Sequence, residues 1–259
     1  MRYLYLILVF SSLLTTTLRS QAQPAYEQVL APFDTIVADA GVRWSAELRV
    51  RNSSEVQVNL FPDQCSWIGL VTPCETKIIV PPQTTKLVDV LNSSSLHSPG
   101  LLLYVPSTHV DDVTFSLTVR DSRSEDAVGT TIPVVPSRDF RSRFTIPGIP
   151  VSLAHRRTLR VYEPHWPVQS VFRVRVIDET TNVVLVEREY LRGLPTDPPS
   201  PLLVPATFDF SDSLSAVALG DAEHVSVVIE RVFPEQLVFW PLVSVTSNLD
   251  NRVAVYAPN

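Results

Sequence analysis

Apolar and polar residues alternate with a period of two in segment after segment, as a half-buried β-strand requires. In "RWSAELRVRN", Trp44, Ala46, Leu48 and Val50 share one face, while Ser45, Glu47, Arg49 and Arg51 share the other. The same parity runs through "VTFSLTVRD", with Val113, Phe115, Leu117 and Val119 opposed to Thr114, Ser116, Thr118 and Arg120. It recurs in "FRVRVID" and "HVSVVIE". Only "SDSLSAVALGD", residues 211–221, reads as a helical turn, capped by Ser211 or Asp212 and stopped at Gly220. The 22 prolines suit short strands joined by many turns. The pattern predicts an all-β protein.

The strands fall into two series. Phe33 precedes the "LRV" of Leu48–Val50 by fifteen positions, and Phe144 precedes the "LRV" of Leu159–Val161 by the same fifteen. Each copy then enters an alternating segment that ends in an acidic turn, "VQVNLFPD" and "FRVRVIDE". Each closes on an aromatic-aliphatic strand and a polar turn, "FSLTVRDSRSED" and "FWPLVSVTSNLDN". Four features in one order imply duplication at an offset near 111 residues, with a short charged linker in "VVPSRDFRSRFTIPG". The expected organisation is a leader over 1–22, one β-sandwich over 23–136 and a second over 137–259.

This pattern resembles the paired immunoglobulin-like β-sandwich modules of secreted bacterial proteins, many of which have no assigned function. It departs from antibody-type domains, because Cys65 and Cys74 stand too close to bridge two sheets around a core tryptophan. The resemblance implies display, adhesion or scaffolding, roles that a fold alone does not prove.

The N-terminus changes the picture of compartment. Arg2 precedes an apolar run from Leu4 to Leu14, and Ser20 and Ala22 stand where a signal peptidase takes its small residues. The run is too short for a stable span and lacks stop-transfer charges, so a secreted protein, extracellular or periplasmic, is expected with no membrane span in the mature chain. In an oxidising compartment the two cysteines of "DQCSWIGLVTPCE" are expected to close a local disulfide, Cys65–Cys74. The chain-entropy model values so small a loop at about 2.5 to 3 kcal/mol. Their spacing fits neither a zinc pair nor a redox Cys-x-x-Cys. With 21 Lys and Arg against 27 Asp and Glu, the chain carries a formal charge of −6 and no polybasic tail, which argues against nucleic acid as a partner.

No catalytic constellation survives the spacing tests. The seven glycines never approach closer than the 19 positions from Gly129 to Gly148, which excludes phosphate loops and nucleophile elbows. The five histidines form no ligand pair, and "HVDD" at 109–112 reads as a solvated turn. "VEREY" would set Glu187 and Glu189 about 6.8 Å apart on one strand face, within the range of an inverting glycosidase. A three-residue hairpin loop over Thr180–Asn182 instead pairs Glu179 with Val183, Arg175 with Glu187 and Arg173 with Glu189, which makes these carboxylates exposed ion-pair partners. A non-enzymatic protein without cofactor or metal is expected.

Binding is the better prospect. Leu48 to Val56 spans eight positions and Leu159 to Phe172 spans thirteen, so the second copy gains about five residues in "EPHWPVQS". Trp166 beside His165 in that loop could fill a partner's pocket or stack on a sugar ring, or could fold back on its own domain. Trp67 in the cysteine loop has the same ambiguity, whereas Trp44 and Trp240 sit in strand patterns and are expected in the core. The partner is then an unnamed protein or glycan.

Overall fold

The structure is a computed structural model that describes residues 26–32, 44–62, 77–89, 100–121, 129–164, 169–192, 206–215, 219–250 and 252–258. It is all-β. The first half contains β1 (Tyr26–Ala31), β2 (Trp44–Asn52), β3 (Val58–Pro62), β4 (Ile78–Val80), β5 (Thr84–Asp89), β6 (Leu101–Pro106), β7 (Val113–Asp121), β8 (Thr130–Ile132) and β9 (Val135–Pro136). The second contains β10 (Arg143–Pro150), β11 (His155–Glu163), β12 (Ser170–Asp178), β13 (Val184–Arg192), β14 (Ala206–Asp209), β15 (His224–Phe233), β16 (Trp240–Ser247) and β17 (Val253–Tyr256).

Each half stacks two antiparallel sheets in an immunoglobulin-like sandwich. The first sets β4-β3-β6-β1-β9 against β5-β2-β7-β8, and the second sets β13-β12-β15-β10 against β14-β11-β16-β17. Strand for strand the two orders are the same, with β9 added beside β1. In both, the first strand lies in the sheet opposite the second. Among the described residues no sheet mixes strands of the two series.

Alternation sets which side chains meet. In β12, Phe172, Val174 and Val176 point inward while Arg173 and Arg175 point out. Leu48 of β2 stands across from Leu117 of β7, and Leu159 of β11 across from Val243 of β16, and all four are fully buried. β11 and β16 are exceptions, being buried on both faces. Leu159, Val161, Val243 and Val245 fill the core of the second sandwich, whereas Tyr162, Trp240 and Leu242 belong to the apolar cluster of the first. The two-sided burial explains why "FWPLVSV" runs apolar at both parities. Tyr162 and Trp240 are cross-strand neighbours, ring centroids 6.1 Å apart. The Thr130 hydroxyl of β8 donates to the Val253 carbonyl of β17 at 2.8 Å, which adds a polar tie between the halves. A Cβ on the neighbouring Gly129 would come within 2.3 Å of the Thr118 methyl, so a side chain there requires Thr118 to turn aside.

Two local expectations change. The described parts of 211–221 do turn helically, in a 3-10 turn over Ser211–Leu214 and a Leu219 N–H to Ser215 carbonyl bond, with Gly220 at φ 57°. Its N-cap position is Phe210, without a side-chain cap, and neither Ser211 nor Asp212 caps it; the Asp209 carboxylate accepts the Ser211 N–H at 2.8 Å just before the turn. The second-copy loop is also shorter than expected. It covers 164–169 against 53–57 in the first copy, one residue more, because Val56 lies in the turn two residues before β3 whereas Phe172 is already the third residue of β12.

Trp240 therefore serves both halves. Trp240→Ala is expected to cost about 3–5 kcal/mol in denaturant unfolding and to split one cooperative transition into two. A single transition with unchanged midpoint would contradict the shared packing.

Candidate functional site

Cys65, Cys74, His165 and Trp166 lie outside the described residues. The frame that carries the His165–Trp166 loop is described on both sides. β11 ends at Glu163 and β12 begins at Ser170, in opposite sheets of the second sandwich. Between them stands Arg231 of β15.

Parity places these groups inside. Along β15 the inward row is Val225, Val227, Ile229 and Arg231, and along β11 it is Arg157, Leu159, Val161 and Glu163. The side chains of Arg231 and Glu163 are 0% and 3% exposed and form an ion pair through Nη2 and Oε1. Arg231 Nη1 donates to the Ser170 hydroxyl at 2.8 Å. The guanidinium carbon lies 4.6 Å from the centroid of the Phe172 ring and 6.0 Å from that of Phe239. One cation thus holds both ends of the 164–169 loop and ties the two sheets together. Burial pushes the guanidinium down to about 10, so it is still cationic at neutral pH and needs its anion.

The first sandwich solves the same problem without charge. Asn52 is the counterpart of Glu163 at the 111-residue offset and is fully buried. Its amide donates to the carbonyls of Val56, Val80 and Pro81 at 2.8, 3.1 and 3.1 Å, and its oxygen accepts from Ser54 N–H and hydroxyl. Val80 belongs to β4 in the opposite sheet, so this side chain also crosses between layers. Asn52 heads an Asn-x-Ser sequon, yet in the fold it has no free amide for a glycan.

The carboxylates of "VEREY" are committed elsewhere. Arg173 pairs in register with Glu189 and Arg175 with Glu187. The contacts depart from that register, because Arg173 reaches Glu189 at 2.6 Å, Glu230 at 2.8 Å and Glu187 at 3.8 Å, while Arg175 lies 3.8 Å from Glu230. Hydrogen bonds to Glu189, then Glu230, hold the Arg173 pKa above its ordinary value. The hairpin also closes one residue earlier than expected. The register shifts so that Ile177 pairs with Val184, the Asp178 N–H bonds to the Val183 carbonyl at 2.9 Å, and Asn182 adopts φ 57°. The carboxylate of Glu179, just past the end of β12, accepts from the Ser226 hydroxyl and the Gly148 N–H, which lowers its pKa in that order of importance.

At the other candidate turn, His109 Nδ1 lies 3.2 Å from Asp112, whose carbonyl accepts from the N–H and hydroxyl of Ser53. Among the described residues no group of three or more His, Cys, Asp or Glu side chains could hold a metal, and no helix is long and apolar enough to cross a membrane. No known family model matches the chain, and no curated protein matches it.

The Glu163–Arg231 pair escapes a reading that treats charged residues as outward by default. Strict parity would have found it, since both residues continue rows of inward valine, leucine and isoleucine. Removing one partner, by Glu163→Ala or Arg231→Ala, is expected to cost about 3–5 kcal/mol because it leaves a buried charge alone. The paired change Glu163→Leu with Arg231→Met is expected to recover most of that loss. Chemical denaturation of the three variants checks both statements, and additive losses in the double variant would contradict the coupling.

Proposed function

We propose that this is an exported protein that acts by contact and not by turnover, presenting the loop between Glu163 and Ser170 to a protein partner. Under this reading it belongs with the tandem immunoglobulin-like proteins that its sequence resembles, loses a leader at Ala22 and carries a Cys65–Cys74 disulfide. The observation that carries the proposal is the buried cation under the loop. Arg231 fixes Glu163 and Ser170, so the strand ends that flank His165 and Trp166 need no ordering when a partner is bound. The engagement of Glu187 and Glu189 in the Arg173 cluster supports a structural role for the residues that most resembled a catalytic pair.

Trp166→Ala is expected to leave the melting temperature within a few degrees while weakening partner binding by about 2 kcal/mol or more, as anchor aromatics do. Exported proteins of the same organism and a glycan array, each screened with the unaltered chain and this variant, supply the readout. Trp166-dependent retention on glycans alone would replace the protein partner with a carbohydrate. Hydrolytic activity abolished by Glu187→Gln or Glu189→Gln would overturn the reading.

A further inference from the structure

The outer face of the β13-β12-β15-β10 sheet carries charge in rows that cross the strands. One row runs Arg143, Glu230, Arg173, Glu189 from β10 to β13. The next runs Thr145, Val228, Arg175, Glu187. A third, nearer the end of the sandwich, is apolar and runs Phe233, Val171, Leu191, with Phe233 55% and Leu191 65% exposed. All three stop at β13, the edge strand among the described residues, where the side chains of Glu187 and Glu189 are 55% and 53% exposed.

β13 differs from the other edges of its sandwich. It is nine residues long and free of proline, whereas β14 and β17 have four residues each and β10 carries Pro147, Pro150 and an irregularity between Ile146 and Ile149. Charge disfavours pairing of β13 with a second copy of itself. In an antiparallel pair related by a two-fold axis through the sheet, the central registers set Glu187 against Glu187, Glu187 against Glu189, or Glu189 against Glu189. Like charges directly opposite are destabilising. A strand that continues the rows must instead offer an apolar residue opposite Leu191 and basic residues opposite Glu189 and Glu187. The chain's own β12 does this from the inner side of β13, with Val171, Arg173 and Arg175.

We propose that β13 is a docking edge for an extended segment of another protein, whose outward positions alternate apolar, basic, basic, joined to the sheet by β-augmentation. This goes beyond the loop-mediated contact and does not depend on Trp166.

A labelled peptide with the sequence of residues 170–178 supplies the basic probe, and the same peptide with glutamate at both arginine positions supplies its reverse. The basic peptide is expected to bind the full chain, and the acidic one at least tenfold more weakly. Glu187→Lys with Glu189→Lys is expected to invert that preference while the far-UV spectrum is unchanged. If the double variant does not fold, the two peptides on the unaltered protein still decide the matter. Equal binding of both peptides, or no binding of the basic one at micromolar protein, would overturn the proposal.

Discussion

The second sandwich is organised around one buried guanidinium. Arg231 projects from β15 into a core of phenylalanine and valine, and its removal from water is tolerable only because Glu163 arrives from the opposite sheet. Everything near that end follows from the pairing. Phe172 and Phe239 lie against the cation, Ser170 is drawn to it at the start of β12, and the residues of the 164–169 loop must leave and return at fixed points. The neighbouring Tyr162, pointing the opposite way, joins Trp240 in the packing against the first sandwich. A single strand end therefore serves the core, the loop and the junction between halves.

The duplicated architecture shows how one position can be used twice with different chemistry. At the end of the strand after each "LRV", a polar side chain crosses from one sheet to the other. Asn52 does so with neutral hydrogen bonds to the backbone carbonyls of Val56, Val80 and Pro81. Glu163 does so with a charge, and so requires a cation on the facing strand. The neutral solution binds its turn tightly to itself. The ionic solution anchors the two strand ends, Glu163 and Ser170, on either side of its loop.

Much of this fold was legible from periodicity, because half-buried strands announce themselves by parity, as β2, β7 and β12 do. Parity failed to alternate in "FWPLVSV" for a physical reason, since β16 is buried on both faces. The Arg173–Glu189 facing could be derived from turn chemistry, but the shift to Ile177–Val184 could not, because a bulge depends on how the turn residue Asn182 settles. Loop length departs from the expectation because the Asn52 network holds Val56 in the turn and not at the start of a strand. The candidate loop was visible as a departure between copies, while the buried pair beneath it required reading charge as inward.

The central claim is that Arg231 is an immobile, paired cation at the root of that loop. Its guanidinium nitrogen and proton resonances test this directly in the intact protein. Hindered rotation in a buried ion pair predicts separate Nη signals with protons that exchange slowly at neutral pH, and collapse of that pattern in Glu163→Gln. A single averaged Nη signal in the unaltered protein, like that of a solvated arginine, would contradict the account.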